Sequence, residues 1–263
     1  MSAVIHTSYP PNDPPPHPGA GWTRFVCISD THSRRFKGIP PGDVLLHAGD
    51  LSSWGQHNQL LTTVNWLKEL PHELKVIIAG NHDHCLDPRW KASEENSRRG
   101  LDPKEIDLSI DLMRNASARA AGIVYLDHEE VELATSTGAK WKIYGTPAAP
   151  FYVQGAFQYF EPEEAEEEWK RIPNDVEILM THTPAFGVLD KTRRDKKAGC
   201  PKLAERIEAL ENCRLHVFGH IHEAHGAYAR DRKVGDVNNE LVSVNAALHD
   251  ADQAIIVDLR KVS

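Results

Sequence analysis

Five short apolar runs in this chain each end in an aspartate, an asparagine or a histidine, and no other feature of its 263 residues constrains the fold as much. Phe25-Val26-Cys27-Ile28 leads into Ser29-Asp30-Thr31-His32, and Val44-Leu45-Leu46-His47-Ala48 into Gly49-Asp50. Leu74-Lys75-Val76-Ile77-Ile78-Ala79 leads into Gly80-Asn81-His82-Asp83. Val176-Glu177-Ile178-Leu179-Met180 runs into Thr181-His182, and Leu215-His216-Val217-Phe218 into Gly219-His220-Ile221-His222. Apolar runs with so little polar interruption are the pattern of strands covered on both faces. In open α/β sheets, ligands collect at the carboxyl ends of the strands. The pattern therefore predicts one sheet edge lined with oxygen and imidazole donors.

Helical spacing fills the gaps. Gln59 to Leu70 places Leu60, Val64 and Leu67 on one face and stops before Pro71. Ile106 to Ala121 and Pro201 to Leu210 read the same way, and Glu163 to Arg171 reads as a short acidic helix with a solvated face. Strands alternating with helices imply a largely parallel sheet. Further strands follow without intervening helices: Val124 to Leu126, Val131 to Leu133, Trp141 to Tyr144, Leu241 to Val244 and Ala254 to Asp258. They imply a second sheet packed on the first. The predicted fold is α/β, a four-layer α-β-β-α sandwich in which two mixed sheets pack face to face between flanking helices. Residues 1–20, with Pro10, Pro11, Pro14, Pro15, Pro16 and Pro18, read as a disordered tail, and residues 21–263 as one domain without internal repeats.

Composition excludes several classes of function. The formal net charge is -8, so the chain lacks the general pull that carries non-specific binding to nucleic acid. Cys27, Cys85, Cys200 and Cys213 are scattered, which disfavours a disulfide framework or a thiolate zinc module. No apolar run approaches the ~20 residues that cross a bilayer, and no basic stretch followed by an apolar segment opens the chain. The expected setting is the cytoplasm, with no membrane partner.

Taken singly, each motif has a plainer reading. Asp30-x-His32 and Gly49-Asp50 fit ordinary turns after strands, Asn81 fits a loop in left-handed conformation, and His182 fits a hydrogen-bonded structural histidine. All five occur in order, each after a buried strand. Carboxylates with imidazoles suit divalent Mn, Fe, Zn or Co, and eight such side chains exceed the need of one ion. Two ions sharing a carboxylate would use them well.

The set Asp30-Thr31-His32, Gly49-Asp50, Gly80-Asn81-His82-Asp83, His182 and Gly219-His220-Ile221-His222 resembles the signature of the calcineurin-like metallophosphoesterase superfamily, across residues 30–222. Ser29 to Arg34, Tyr144-Gly145-Thr146-Pro147, Thr181-His182-Thr183-Pro184 and His216 to Glu223 are similar to the metallophosphoesterase-domain-containing (MPPED) subgroup. That resemblance implies two divalent metal ions, with Mn²⁺ foremost and Fe, Zn, Co or Mg as alternatives. Asp30, His32 and His222 would hold the first, Asn81, His182 and His220 the second, and Asp50 would bridge them. It also implies a phosphodiesterase acting on cyclic or small nucleotides, with a metal-bound hydroxide as nucleophile and His82 as general acid. Asp83 takes the acidic position beside it, as a further catalytic or supporting residue. Some subgroup members carry glycine where this chain keeps His220, which favours a working enzyme.

Alternatives stay open: a phosphomonoesterase, including one acting on phosphoproteins, or a weakly catalytic metal- or nucleotide-binding scaffold. The aromatic stretch Phe151 to Phe160 reads either as core or as a wall for a nucleobase. The basic stretch Lys191 to Lys197 reads either as a solvated loop or as a contact for substrate phosphate. His47, His84, His225 and Asp87 neighbour the motifs without an assigned role, as does Asn245.

Overall fold

The donor-tipped strands form the centres of two sheets in a computed structural model, which describes residues 2–92, 102–136, 138–235 and 237–261. In chain order the strands are β1 (Ala3–His6), β2 (Trp22–Ile28), β3 (Val44–Ala48), β4 (Leu74–Ile78), β5 (Ile123–Tyr125), β6 (Glu129–Ala134), β7 (Lys140–Thr146), β8 (Ala149–Pro150), β9 (Gln158–Tyr159), β10 (Ile178–Thr181), β11 (Leu215–Phe218), β12 (Gly226–Val234), β13 (Val237–Asn245) and β14 (Ile255–Arg260). The first sheet runs β1-β14-β2-β3-β4-β5 and the second β12-β13-β11-β10-β7-β6, with β8-β9 a separate pair. In the first sheet β2, β3, β4 and β5 are parallel, and β14 and β1 add antiparallel at one side. In the second, β13, β11, β10 and β7 are parallel between antiparallel edge strands β12 and β6.

Three apolar clusters correspond to the three interfaces of a four-layer α-β-β-α sandwich. Val26, Ile28, Leu45 and Ile77 pack against Leu60, Val64 and Leu67 of α1 (His57–Glu69) and against Ile106 and Met113 of α2 (Pro103–Arg114). The alternate residues Phe25, Cys27, Leu46 and Ile78 face inward, against Ile143, Ile178, Met180, Val217 and Val244 of the second sheet. That sheet's outer face, with Tyr144, Leu179 and Leu241, is covered by two helices labelled α4 (Pro162–Lys170) and α5 (Pro201–Glu208), through Trp169, Leu203 and Ile207. Both faces of each central strand are therefore apolar, which is why the sequence shows runs rather than alternation. Each such side chain contributes roughly 1.5–3 kcal/mol by leaving water.

Two expectations need correction. The first is the disordered tail. Ala3–His6 is a strand that pairs with β14, and the Tyr9 hydroxyl donates to the Ala254 carbonyl at 2.6 Å. Further along, the Arg24 guanidinium donates to the carbonyls of Pro15 and Pro16 while pairing with Asp258. An open β14 edge needs hydrogen-bonding partners, and a buried guanidinium needs acceptors; the N-terminal segment supplies both. The second is the single helix from Ile106 to Ala121. Asn115 is extended (φ -72°, ψ 172°) and its side chain accepts from the Ala118 N–H at 2.9 Å, so it ends α2 and caps a separate α3 (Ala116–Ala120).

Candidate metal centre

The parallel strands of both sheets end at one edge of the sandwich, and their tips supply the donors. Asp30, His32, Asp50 and His220 all have positive φ, at 53°, 46°, 54° and 68°. Left-handed backbone is costly for residues with a Cβ and persists where the surroundings over-determine it. Two glycines explain why the tips can crowd so closely. A Cβ on Gly80 would lie 2.3 Å from Asp50 Oδ1, and one on Gly219 would lie 2.0 Å from Asp30 Oδ2. The glycine ahead of each donor is the space into which another donor fits.

The donors gather as two groups around Asp50. On one side, ligand atoms of Asp30, His32, Asp50 and His222 lie within 4.8 Å of one another. His222 Nε2 stands 3.1 Å from Asp30 Oδ1, and His32 Nε2 stands 3.7 Å from Asp50 Oδ2. On the other side, His182 Nε2 is 3.4 Å from Asp50 Oδ1 and 2.9 Å from Asn81 Oδ1, and His220 Nδ1 is 2.7 Å from the same amide oxygen. Asp50 thus turns one oxygen toward each group.

This arrangement suits cations. His182 Nδ1 lies 2.9 Å from the Ala48 carbonyl and His32 Nδ1 lies 3.2 Å from that of Ser52; a carbonyl can only accept, so both Nδ1 atoms donate. The opposite nitrogens turn inward: His182 Nε2 toward Asn81 Oδ1 and Asp50 Oδ1, and His32 Nε2 toward Asp50 Oδ2. The buried carboxylates of Asp30 and Asp50 need positive charge beside them, which protons on His222 and His182 supply and which bound cations would replace. Among the described residues no Lys or Arg pairs with Asp30 or Asp50. Carbonyl-oriented imidazoles of this kind are the usual support of metal-binding histidines.

Electrostatics tells the same story. Burial alone would raise Asp50, but His182 outweighs it and holds the carboxyl well below its ordinary range. Asp30 is likewise buried, yet His222 brings it down to about 2. Burial pulls His182 down, but Asp50, with Asp30 and the Ala48 carbonyl, outweighs it and raises it to about 9. Burial, helped by His182, pushes His220 down to about 4. The two carboxylates stay anionic while deeply buried, which is the state that recruits divalent cations.

His82 and Asp83 take different places. The His82 ring packs edge-on to His32 at 4.7 Å and donates Nδ1–H to the Ser53 carbonyl at 2.7 Å, which leaves Nε2 for other work. His82 lines the cavity above the donors. Asp83 is fully buried and accepts from the N–H groups of Gly80, Leu51 and Ser52 and from the Ser52 hydroxyl. It clamps the Asp50 turn to the Asn81 turn. Burial and the charge of Asp50 raise it to about 6.

The neighbours resolve similarly. Asn245 donates its amide to the carbonyls of Leu189 and Ile221, tying down the turn that carries His220 and His222. Asp87 accepts from the Phe157 N–H at 2.8 Å and from Arg89, so it anchors the aromatic stretch. His47 is buried against Thr31, and His84 packs on Trp90. His225 faces a smaller side cavity. His249 carried no signal in the sequence: it stacks on His222 at 4.3 Å and meets His32 edge-on at 5.2 Å. It follows the short apolar stretch Ala246-Ala247-Leu248, and the return of the chain after β13 places it there.

Above the donors lies a cavity of about 1270 Å³. Asp50, Asn81, His82, His220 and His222 lie in its floor, while Trp54, Phe151, Tyr152, Phe160 and a cationic stretch from Arg193 to Lys197 line its walls. The aromatic stretch divides: Phe157 and Tyr159 are core, whereas Phe151, Tyr152 and Phe160 are exposed.

Comparison with known proteins follows the same lines. Residues 23–224 match the family profile described as calcineurin-like phosphoesterase. The chain is 36% identical over 251 residues to metallophosphoesterase domain-containing protein 1 of Homo sapiens and of Mus musculus, covering 95% of this chain and 74% of each of those. A UPF0046 protein of Caenorhabditis elegans is 33% identical over 236 residues, 86% of this chain and 75% of its own. Among solved structures, a dimetal phosphatase from Danio rerio aligns over 85% of this chain and 87% of that one at 9% identity, with a TM-score of 0.36 too low to carry weight. The extent of the profile match and the identity to full-length relatives make this chain a member of the calcineurin-like phosphoesterase family.

Proposed function

We propose that the chain is a binuclear metal-dependent phosphodiesterase acting on cyclic or other small nucleotides. One observation carries the reading: Asp50 faces two donor groups with separate oxygens, 3.7 Å from His32 Nε2 and 3.4 Å from His182 Nε2. Asp30, His32 and His222 would hold one divalent ion and Asn81, His182 and His220 the other, with Asp50 shared. When bound, two such ions, Mn²⁺ foremost, would offset the charge of the phosphoryl oxygens and make water a usable nucleophile at neutral pH.

The chain's own groups do the rest. His82, steadied by the Ser53 carbonyl, presents Nε2 at the cavity floor and passes its proton to the departing ester oxygen as the P–O bond breaks. Asp83 acts by position, fixing the two turns that carry Asp50 and Asn81. A diester has a substituent on either side of phosphorus, and a cavity of about 1270 Å³ leaves room for both. The exposed rings of Phe151, Tyr152 and Phe160 give a base a surface to stack on. A cytoplasmic setting belongs to the same proposal and is supported by four cysteines that are all free and buried. Among the described residues no helix is long and apolar enough to cross a membrane.

The test pairs metal analysis with turnover of bis(p-nitrophenyl) phosphate and p-nitrophenyl phosphate in Mn²⁺. The reading expects two ions per chain and diester cleavage well above monoester cleavage. Monoester preference would overturn the diester assignment, and two bound ions without turnover would make the chain a binding scaffold.

A further inference from the structure

We propose that the cavity rim contains a second anion subsite, formed by Arg194 and Lys196 with Lys197 beside them, which takes a phosphate of the substrate other than the one hydrolysed. The inference rests on the nucleotide reading above and narrows it to nucleotides that carry an additional phosphate.

Charge pairing is the first ground. The chain has a net charge of -8, and many of its exposed cations are matched to acids, as in Arg35 with Glu69, Arg114 with Glu129 and Arg230 with Glu208. Within the rim stretch, Lys191 pairs with Asp195 and Arg193 with Asp250. Arg194 and Lys196 have no acidic partner among the described residues, and the Lys197 ammonium lies over the Phe186 ring at 5.3 Å. All three line the cavity whose floor holds Asp50, Asn81 and His82. Besides Asp50 in the floor, two acids share this lining: Glu223 accepts from the Arg193 N–H, and Glu161 caps the start of α4.

Rigidity is the second ground. Bridges join Ala185 to Cys200 and Lys191 to Lys197, and the Thr192 N–H donates to the Lys196 carbonyl at 2.9 Å. The buried Asp190 carboxylate gathers the N–H groups of Gly187 and Gly199 at 2.8 and 3.1 Å. The backbone of the segment is thus a pinned turn, from which the exposed side chains of Arg194 and Lys196 extend. Guanidinium and ammonium groups carried on a fixed backbone suit phosphate oxygens. Size is the third ground: about 1270 Å³ exceeds the roughly 300–1000 Å³ of ordinary small-ligand sites, so a ligand longer than a cyclic mononucleotide fits.

The experiment measures calorimetric binding of adenosine 3′,5′-bisphosphate and adenosine 5′-monophosphate to the Mn²⁺-supplied protein at low salt. The same titrations are made on the Arg194→Ala/Lys196→Ala protein, whose substitutions are on exposed residues. The bisphosphate should bind roughly five- to tenfold tighter than the monophosphate to the unaltered chain, and the gap should close in the variant and in high salt. Equal affinities in the unaltered chain, no binding of either, or a gap that survives the double substitution would overturn the subsite. Turnover of bis(p-nitrophenyl) phosphate, followed alongside, separates the two readings. A binding gap without turnover removes the hydrolase and leaves the subsite; turnover without a gap does the reverse.

Discussion

The floor and the walls of the cavity are built on opposite principles. Floor residues are mostly buried and held several times over: Asp50 receives the His82 N–H and faces His32 and His182, and His182 is fixed by both Ala48 and Asn81. Wall residues keep much of their surface in water, with Tyr152 69% and Phe160 66% exposed. The floor tolerates strain, with four donors at positive φ, because neighbouring strands fix it. The difference assigns chemistry to the part that cannot move and selection to the part that can adapt. It also predicts that changes in the floor abolish function, whereas changes in the walls grade it.

The largest effect should come from Asp50→Ala. With the shared carboxylate gone, both donor groups lose a ligand, and both metal content and diester turnover should fall to background. Retention of one tightly bound ion with measurable turnover would mean that the two groups are independent. Next comes His82→Ala, which leaves the donors intact. Metal content should stay unchanged while kcat for diesters with poor leaving groups falls by roughly 10²–10⁴. A p-nitrophenolate ester should be hurt less, since its leaving oxygen needs little proton assistance. Full activity on poor leaving groups would remove His82 from its role.

A wall substitution should behave differently. Tyr152→Ala should raise KM for nucleotide substrates about tenfold, within the ~1–3 kcal/mol of a base–aromatic stack, and leave kcat nearly unchanged. If kcat fell and KM did not, Tyr152 would belong with the floor, where it meets His220 edge-on at 6.4 Å.

The smallest effect lies outside both regions and serves as their control. Burial lowers His72 to about 4, with Lys75 acting in the same direction against its bond to the Pro40 carbonyl. Because the folded value lies below the unfolded one near 6.5, the unfolded chain takes up the proton first. Stability is therefore full above pH 6.5 and declines as pH falls toward 4, by up to about 1.4 kcal/mol per pH unit for this one group. His72→Gln should flatten urea midpoints over that window without changing turnover at neutral pH. An unchanged slope would show that other groups govern acid sensitivity.

What could be read from the residues alone follows the same division. The floor was legible because each donor stands directly after an apolar run, and a strand covered on both faces leaves a local record in its side chains. The walls were not. Phe151 and Phe157 look alike in sequence, and tertiary contacts, among them the Asp87 bond to the Phe157 N–H, place one ring in the core and the other at the cavity. The proline-rich start misled for a related reason: local composition favours a loose segment, while the open edge of β14, some 250 residues away, recruits it as a strand.

The sequence by itself determined the donor chemistry, the order in which strands deliver it and the layered class of the fold, since periodicity and residue type are local properties. Only the tertiary structure decided which Asp50 oxygen meets which group, that Asp83 clamps turns instead of facing the cavity, that His249 lies against His222, and that Arg194 and Lys196 line the cavity with no acidic partner among the described residues. Those outcomes depend on distances between residues remote along the chain. No local pattern of side chains encodes such distances until the two sheets have packed.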